Sequence, residues 1–298
     1  MLSLSQTSNS LLCIEWIPTE SGPKVINYKK LSYNSQSYKD FLDYVFSEFK
    51  IKNVNDEKKT ITLSLDSDNV CITSFKCDPQ ISLNSRIKWY ENKFLGKYIT
   101  DNYDIYYYPI DENNGEVMVI YISKDLKNNI LNSCAKYNYE LRHLSIDIFS
   151  ANHAIHIYNS SSNDKYILWK IGKRNVHYLL YYERDVLKCY LKLKCGKKIE
   201  CIQSIGGKSL RNDLISLVNS FFNDNIEIDA NFYDKIYLYQ SKSNFELLEK
   251  IYNQNKNNII IMDIGSNFLN REKVSRKNNN YHLLGYNENG NSLRGIDV

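Results

Sequence analysis

A chain of 298 residues, 43% hydrophobic and 13% aromatic, is long enough for one large domain or two lobes with separate cores, with no need of disulfides or metals. Its net charge of +4, with basic and acidic residues interleaved, argues against a dedicated nucleic-acid surface. Seven cysteines form no CxxC pair and no cysteine–histidine cluster, which reads as free thiols in a reducing cytoplasm and not as a disulfide or zinc framework.

The N-terminus, MLSLSQTSNS, has neither the charged region nor the apolar core of a signal peptide, and no later apolar run approaches the ~18 residues of a membrane span. A soluble, cytoplasmic protein is expected. Leu11–Trp16 and Lys24–Leu31 read as the opening strands, joined around Ser21-Gly22-Pro23. Tyr38–Phe49 carries Phe41, Leu42, Val45, Phe46 and Phe49 at helical spacing. Thr60–Leu65 and Val70–Phe75 read as strands joined by a hairpin turn, Asp66-Ser67-Asp68-Asn69, too short for a calcium loop and lacking its distal glutamate. Ile81–Ile99 reads as one helix, in which Trp89 shares a core face with Leu83, Ile87 and Phe94.

Tyr103–Ile110 and Glu116–Ser123 read as strands across Asp111–Gly115; Tyr106, Tyr107 and Tyr108 have no arginines nearby that would make them a base-stacking platform. Asp125–Tyr137 reads as a helix and Leu141–Phe149 as a strand. His143, His153 and His156 fall on a strand and a following helix, where they diverge, so a metal site is not expected. Asn159–Asp164, polar and serine-rich, reads as a linker. A meander follows: Tyr166–Ile171, Val176–Tyr182 and Val186–Leu193 are β-branched, aromatic and leucine-rich, with short polar turns between them. The basic run Lys188–Lys198 reads as a solvated strand edge. Ile205-Gly206-Gly207-Lys208-Ser209-Leu210 then opens a helix with Leu210, Leu214, Leu217, Val218, Phe221 and Phe222 on one face. Lys235–Tyr239 reads as a strand, Phe245–Tyr252 as a helix and Asn258–Asp263 as a terminal strand.

A strand meander, a glycine turn and an amphipathic helix in this order resemble the second half of an actin-like fold. The whole chain resembles the PilM-type proteins of type IV pilus assembly, a branch of the actin and FtsA superfamily. Ile87-Lys88-Trp89-Tyr90-Glu91-Asn92-Lys93-Phe94-Leu95 is similar to that family's I-x-W-E-A-E-K-Y-I segment, and Ile205–Leu210 to its IGG turn. Asp147 stands at the aspartate of the family's inter-lobe run. The resemblance implies an α/β (α+β), actin-like and ribonuclease H-like fold of two lobes. The first would span residues 1–158, with a small subdomain inserted at about 33–110, and the second residues 159–298.

The family's nucleotide positions are altered. Glu15 would stand at the first phosphate turn, where Trp16-Ile17-Pro18 replaces glycine. Lys170 stands where the second turn, Trp169-Lys170-Ile171-Gly172, should carry its acid. Gln240–Asn244 has lost the adenosine glycines, and the Asp263-Ile264-Gly265-Ser266 turn comes too late in the chain to open a lobe. Glu15, Lys170, Gly172, Gly206 and Gly207 are thus expected to be vestigial phosphate-loop positions. The resemblance implies a pseudo-ATPase without a cofactor, a scaffold at the inner face of the bacterial inner membrane. Its partner would be an inner-membrane pilus or secretion protein, gripped by its cytoplasmic N-terminal peptide; self-association stays open. The alternative is a working ATP switch, with Lys170 and Lys173 on the phosphates and Glu15 holding Mg²⁺ through water. An unrelated hydrolase or nuclease would need a paired-carboxylate or Ser–His motif that no stretch supplies.

Overall fold

The computed structural model of the protein describes residues 1–7, 10–19, 22–32, 38–49, 59–111, 113–158, 165–222, 232–240, 245–254 and 258–262. Its first sheet is built from β1 (Leu2–Thr7), β2 (Ser10–Thr19), β3 (Gly22–Ser32), β4 (Lys59–Leu65) and β8 (Tyr139–Ile146), in the order β3-β2-β1-β4-β8. The strands β1, β4 and β8 run parallel; β2 runs antiparallel to them, and β3, antiparallel to β2, runs with them again. Leucine and isoleucine alternate with serine and threonine along β1 and β4, so each strand has one apolar and one polar face. Leu2, Leu4, Ile61, Leu63 and Leu65 join the core beneath α1 (Tyr38–Glu48) and α4 (Lys124–Lys136), with Phe41, Leu42, Val45, Phe46 and Ile130. On the other face Thr62 Oγ1 donates to Ser3 Oγ at 3.2 Å, and Ser64 Oγ to Ser150 Oγ at 2.6 Å.

That arrangement corrects the start of the lobe. Its first strand is Leu2–Thr7, and Leu11–Trp16 lies within the second. The serine face of β1 meets a buried polar seam and not hydrocarbon.

The second sheet runs β12-β11-β10-β9-β13-β14. Its strands are β9 (Lys165–Ile171), β10 (Val176–Glu183), β11 (Val186–Cys195), β12 (Ile199–Gly206), β13 (Lys235–Gln240) and β14 (Ile259–Ile261). With β12 set aside, the order and the strand directions repeat those of the first sheet. The expected strands of the meander hold, but β12 adds a fourth. Lys188–Lys194 therefore lies on an inner strand paired on both sides, and the sheet edge is β12. Here β9 and β10 are buried on both faces, which is why they read as continuous apolar runs. The outer face packs on α6 (Lys208–Phe222) and α7 (Phe245–Gln254) through Trp169, Leu179, Leu191, Leu217, Phe221 and Leu248.

The inner face meets the first lobe. Tyr166, Leu168, Leu180, Tyr182 and Tyr237 pack on α5 (Asp147–Tyr158), whose Ala151 and Ala154 let the helix come close, and on an inserted three-stranded sheet. That sheet, β5-β7-β6, consists of β5 (Cys71–Lys76), β6 (Tyr103–Asp111) and β7 (Glu116–Ser123). Ile72, Ile110 and Met118 face the second lobe, while Phe75, Val117 and Val119 lie under α2 (Leu83–Phe94). The insert thus begins after β4, and α1, expected inside it, belongs to the first lobe's core. β4 and β5 are in different sheets, so Asp66–Asn69 is a crossing between sheets and not a hairpin turn. The helix expected over Ile81–Ile99 breaks at Leu95-Gly96, after which α3 (Lys97–Asn102) starts. Two lobes with the same strand order and an inserted subdomain make the actin-like architecture that the sequence implied. The linker 159–164, Ser241–Asn244 and everything from Asp263 onward, with its Asp-Ile-Gly-Ser turn, lie outside the described residues.

One buried group makes the fold sensitive to acid. His177 is fully buried on the outer face of the second sheet, where its Nδ1 accepts from Trp169 Nε1 at 2.9 Å and its Nε2 has no partner among the described residues. Burial pushes its pKa down from 6.5 to about 4. Since the unfolded chain takes up a proton first, the stability His177 supports is complete above pH 6.5 and is lost as the pH falls toward 4, up to about 3 kcal/mol. Urea midpoints should drop between pH 7 and pH 5 in the parent. In His177→Asn, which keeps an acceptor for the indole, that drop should be much smaller.

Candidate functional site between the lobes

In a sheet of parallel strands the chain leaves each strand at its carboxyl end, so polar side chains collect there. Both sheets turn their carboxyl ends to one cleft. From the first lobe come Gln6 at the end of β1, Asp66 and Asp68 after β4, and Asp147 after β8. The second brings Lys170 and Lys173 at the end of β9, with Tyr178 and Lys192 beside Lys170 in register on β10 and β11.

The central contact is Lys170 Nζ to Asp147 Oδ2 at 2.5 Å, with the two residues only 4% and 1% exposed. Asp147 Oδ1 also accepts from the Ile148 N–H at 2.6 Å, as befits a carboxylate at the start of a helix. Lys192 Nζ and Tyr178 Oη both donate to Asp68 Oδ1, at 2.9 and 3.0 Å. The Tyr178 ring lies between two ammonium groups, Lys170 at 5.5 Å and Lys192 at 5.2 Å from its centroid. Asp66 accepts from the Asp68 N–H at 3.0 Å, receives Lys173 at 3.9 Å, and donates its own N–H to Gln6 Oε1 at 3.3 Å.

Three lysines of one lobe therefore stand against three aspartates of the other side. Burial, and then the charge of Asp147, raise the Asp66 carboxyl above the ordinary range despite Lys170 and Lys173. At Asp68 burial pushes the same way, but the Lys192 ammonium and the Tyr178 hydroxyl outweigh it and hold the carboxyl low.

The five residues singled out in the sequence do not form one site. Glu15 pairs with Leu2 and Asn27 at the end of the sheet where β1 begins. The cleft lies at the other end of β1, five residues or about 16 Å away. Trp16, expected to spoil a phosphate turn, is instead buried inside β2. Residues 8–9, between β1 and β2, lie outside the described residues. Gly206 and Gly207 are on the edge of the second sheet, on the order of 20 Å from Gly172 by strand spacing and rise. Only Lys170 and Gly172 reach the cleft.

The glycines are needed for packing. At Gly172 a Cβ would come within 2.6 Å of the Val176 carbonyl oxygen, and the Gly172 N–H donates to that oxygen at 2.8 Å. Gly206 has φ +120°, a Cβ there would meet the Lys188 carbonyl oxygen at 2.5 Å, and its N–H donates to Glu116 Oε2 at 3.1 Å. The Gly172 and Gly206 amides are thus already bound within the protein. Asp66 and Asp68 escaped the sequence reading because they sit in what looked like an ordinary turn, and Glu116 because it opens a strand. Their one signal was acidic residues directly flanking apolar strands. Among the described residues no group of His, Cys, Asp and Glu has the geometry of a metal site, and no helix is long and apolar enough to cross a membrane.

No family model matches the sequence, and no curated protein is similar to it. Among solved structures, the PilM-PilN type IV pilus biogenesis complex superposes with a TM-score of 0.63 over 100% of this chain and 98% of its own, at 12% identity. The cytoplasmic domain of EpsL, an inner membrane component of the type II secretion system of Vibrio cholerae, gives 0.43 over 80% and 81% at 8% identity. The ethanolamine utilization protein EutJ of Carboxydothermus hydrogenoformans gives 0.43 over 98% and 88% at 9% identity. At such identities the likeness establishes the fold.

A buried ion pair that loses one member leaves a charge without compensation, at about 3–5 kcal/mol, whereas an apolar replacement of both is often neutral. Asp147→Asn and Lys170→Met should each lower stability by that amount. The double variant Lys170→Met/Asp147→Leu should lose far less than the sum of the single losses in urea unfolding.

Proposed function

We propose that this protein is an actin-like scaffold without nucleotide chemistry, a pseudo-ATPase. It would hold the cytoplasmic N-terminal peptide of an inner-membrane pilus or secretion protein, at the inner face of the bacterial inner membrane. The observation that carries the first half is the Lys170–Asp147 pair. An ammonium occupies the floor of the cleft, where a Mg²⁺–triphosphate would need a carboxylate to hold its metal. A triphosphate entering there would meet Asp66, Asp68 and Asp147 while competing with them for the lysines, and the Gly172 amide is committed to Val176. Support for the second half is the full-length likeness in fold to the PilM-PilN complex.

Calorimetric titration with ATP and Mg²⁺ separates the scaffold from an ATP switch. The parent should show no binding tighter than about 1 mM, and Lys170→Asp alone should not create any. Micromolar binding by the parent, lost in Lys170→Met and Lys173→Met, would make the lysines phosphate ligands and overturn the pseudo-ATPase reading.

A further inference from the structure

The corner between α2 and α3 carries an exposed aromatic group on the face of the insert that is turned away from the second lobe. Trp89 was expected in the core. It rests on Phe75 with ring centroids 6.4 Å apart, yet it is 41% exposed, and Phe94 meets it edge-on at 5.6 Å while itself 50% exposed. Tyr98, just past the break at Gly96, is 73% exposed. Lys93 extends its ammonium over both the Trp89 and Phe94 rings, at 4.9 and 5.4 Å. From Glu91 to Tyr98 only Leu95 is half-buried and every other residue is exposed, so the surface is a protruding corner and offers no groove for a peptide.

Cations dominate around the rings. Lys88, Lys93 and Lys97 stand on the two helices, and Lys124 Nζ bonds the Thr100 carbonyl at the end of α3 at 2.6 Å. Against these four are Asp101 and Glu91, and Glu91 already accepts from Tyr107 Oη at 3.1 Å. Tryptophan and tyrosine settle at the headgroup level of a bilayer, where the ring is half in hydrocarbon and its polar edge stays wet. Lysine reaches past them to the phosphates on an aliphatic stem. From this juxtaposition we propose that the α2–α3 corner is a docking surface for a membrane rich in anionic phospholipid. The inference concerns the outer face of the insert and does not rest on the reading of the cleft.

The chain carries its own reporter. Of its three tryptophans, Trp16 and Trp169 are buried and Trp89 alone is exposed, so a change of polarity at the corner shows in Trp89 emission. With vesicles of phosphatidylglycerol and phosphatidylcholine the full chain should float and its emission should shift to the blue. Vesicles of phosphatidylcholine alone should do neither, and added salt should reverse both effects. Lys93→Gln and Lys97→Gln should each weaken partitioning about fivefold. Tyr98→Ser, at a site too exposed to disturb folding, should weaken it as well. Unchanged emission in the presence of anionic vesicles overturns the proposal, and so does flotation that ignores all three variants. A blue shift that grows with protein concentration and without lipid would assign the corner to a second copy of the chain instead.

Discussion

Lys170 and Asp147 hold their charges out of water, one from each lobe, and most of what surrounds them follows from keeping that pair intact. Removing two ions from water costs several kcal/mol each, recovered only when geometry is good and the remaining valences are filled. The first condition is met by the short contact, the second in part by the Ile148 amide on Asp147 and the Tyr178 ring beside Lys170. Apolar side chains pack next to the pair, from Leu168 and Tyr190 on one side to Ile148 and Ala151 on the other. A slide of one lobe on the other would strand a charge in that apolar layer. Register between the lobes is therefore set by electrostatics as much as by packing.

The other contacts across the lobes reinforce this one in kind. Asp68 draws Tyr178 and Lys192 from the second sheet toward the crossing between β4 and β5. Further along the inserted sheet, the Gln203 amide donates to the Ile72 carbonyl, and Glu116 takes Ser74, Lys76 and the Gly206 N–H. Glu116 is 4% exposed, and a buried carboxylate is tolerable only when several donors converge on it, as they do here. Two of the three glycines that a sequence reading assigns to phosphate, Gly172 and Gly206, thus serve contacts inside the chain. They are glycines for the reason a phosphate turn has them, close approach of backbone to an acceptor, but the acceptor is protein.

The fold was legible wherever burial is two-sided. β9 and β10 are covered on both faces, and their apolar runs marked them almost to the residue. Where one face is polar and buried, legibility failed: the opening strand was placed at Leu11–Trp16, and Leu2–Thr7, whose serines meet hydroxyls and not hydrocarbon, was passed over. The displaced first strand then put Glu15 at the wrong end of the sheet. Lys170 was found because it replaces an expected acid, and position alone sufficed for that. Its partner was not legible as such, since Asp147 opens a helix 23 residues earlier in a different lobe, and only the crossing of the two carboxyl ends brings them together. Trp89 was read by helical spacing, which ranks faces correctly but does not tell how far a short helix reaches beyond the sheet it covers.

A nucleotide-driven switch works because its ligand comes and goes, so that the closed arrangement is populated in proportion to ligand concentration and differential affinity. In this chain the groups that would bind such a ligand bind one another. Lys170, Lys173 and Lys192 are supplied at fixed stoichiometry by the same fold that supplies their aspartates, and no solute needs to be bound for the lobes to meet. On the reading proposed above, the consequence is a closed form whose population does not depend on the nucleotide pool. A surface held in one arrangement in this way loses little conformational freedom when a partner arrives, and that saving goes directly into affinity. On the same proposed reading, loss of the phosphate chemistry and gain of a rigid platform are one change, made at Lys170 and the aspartate it meets.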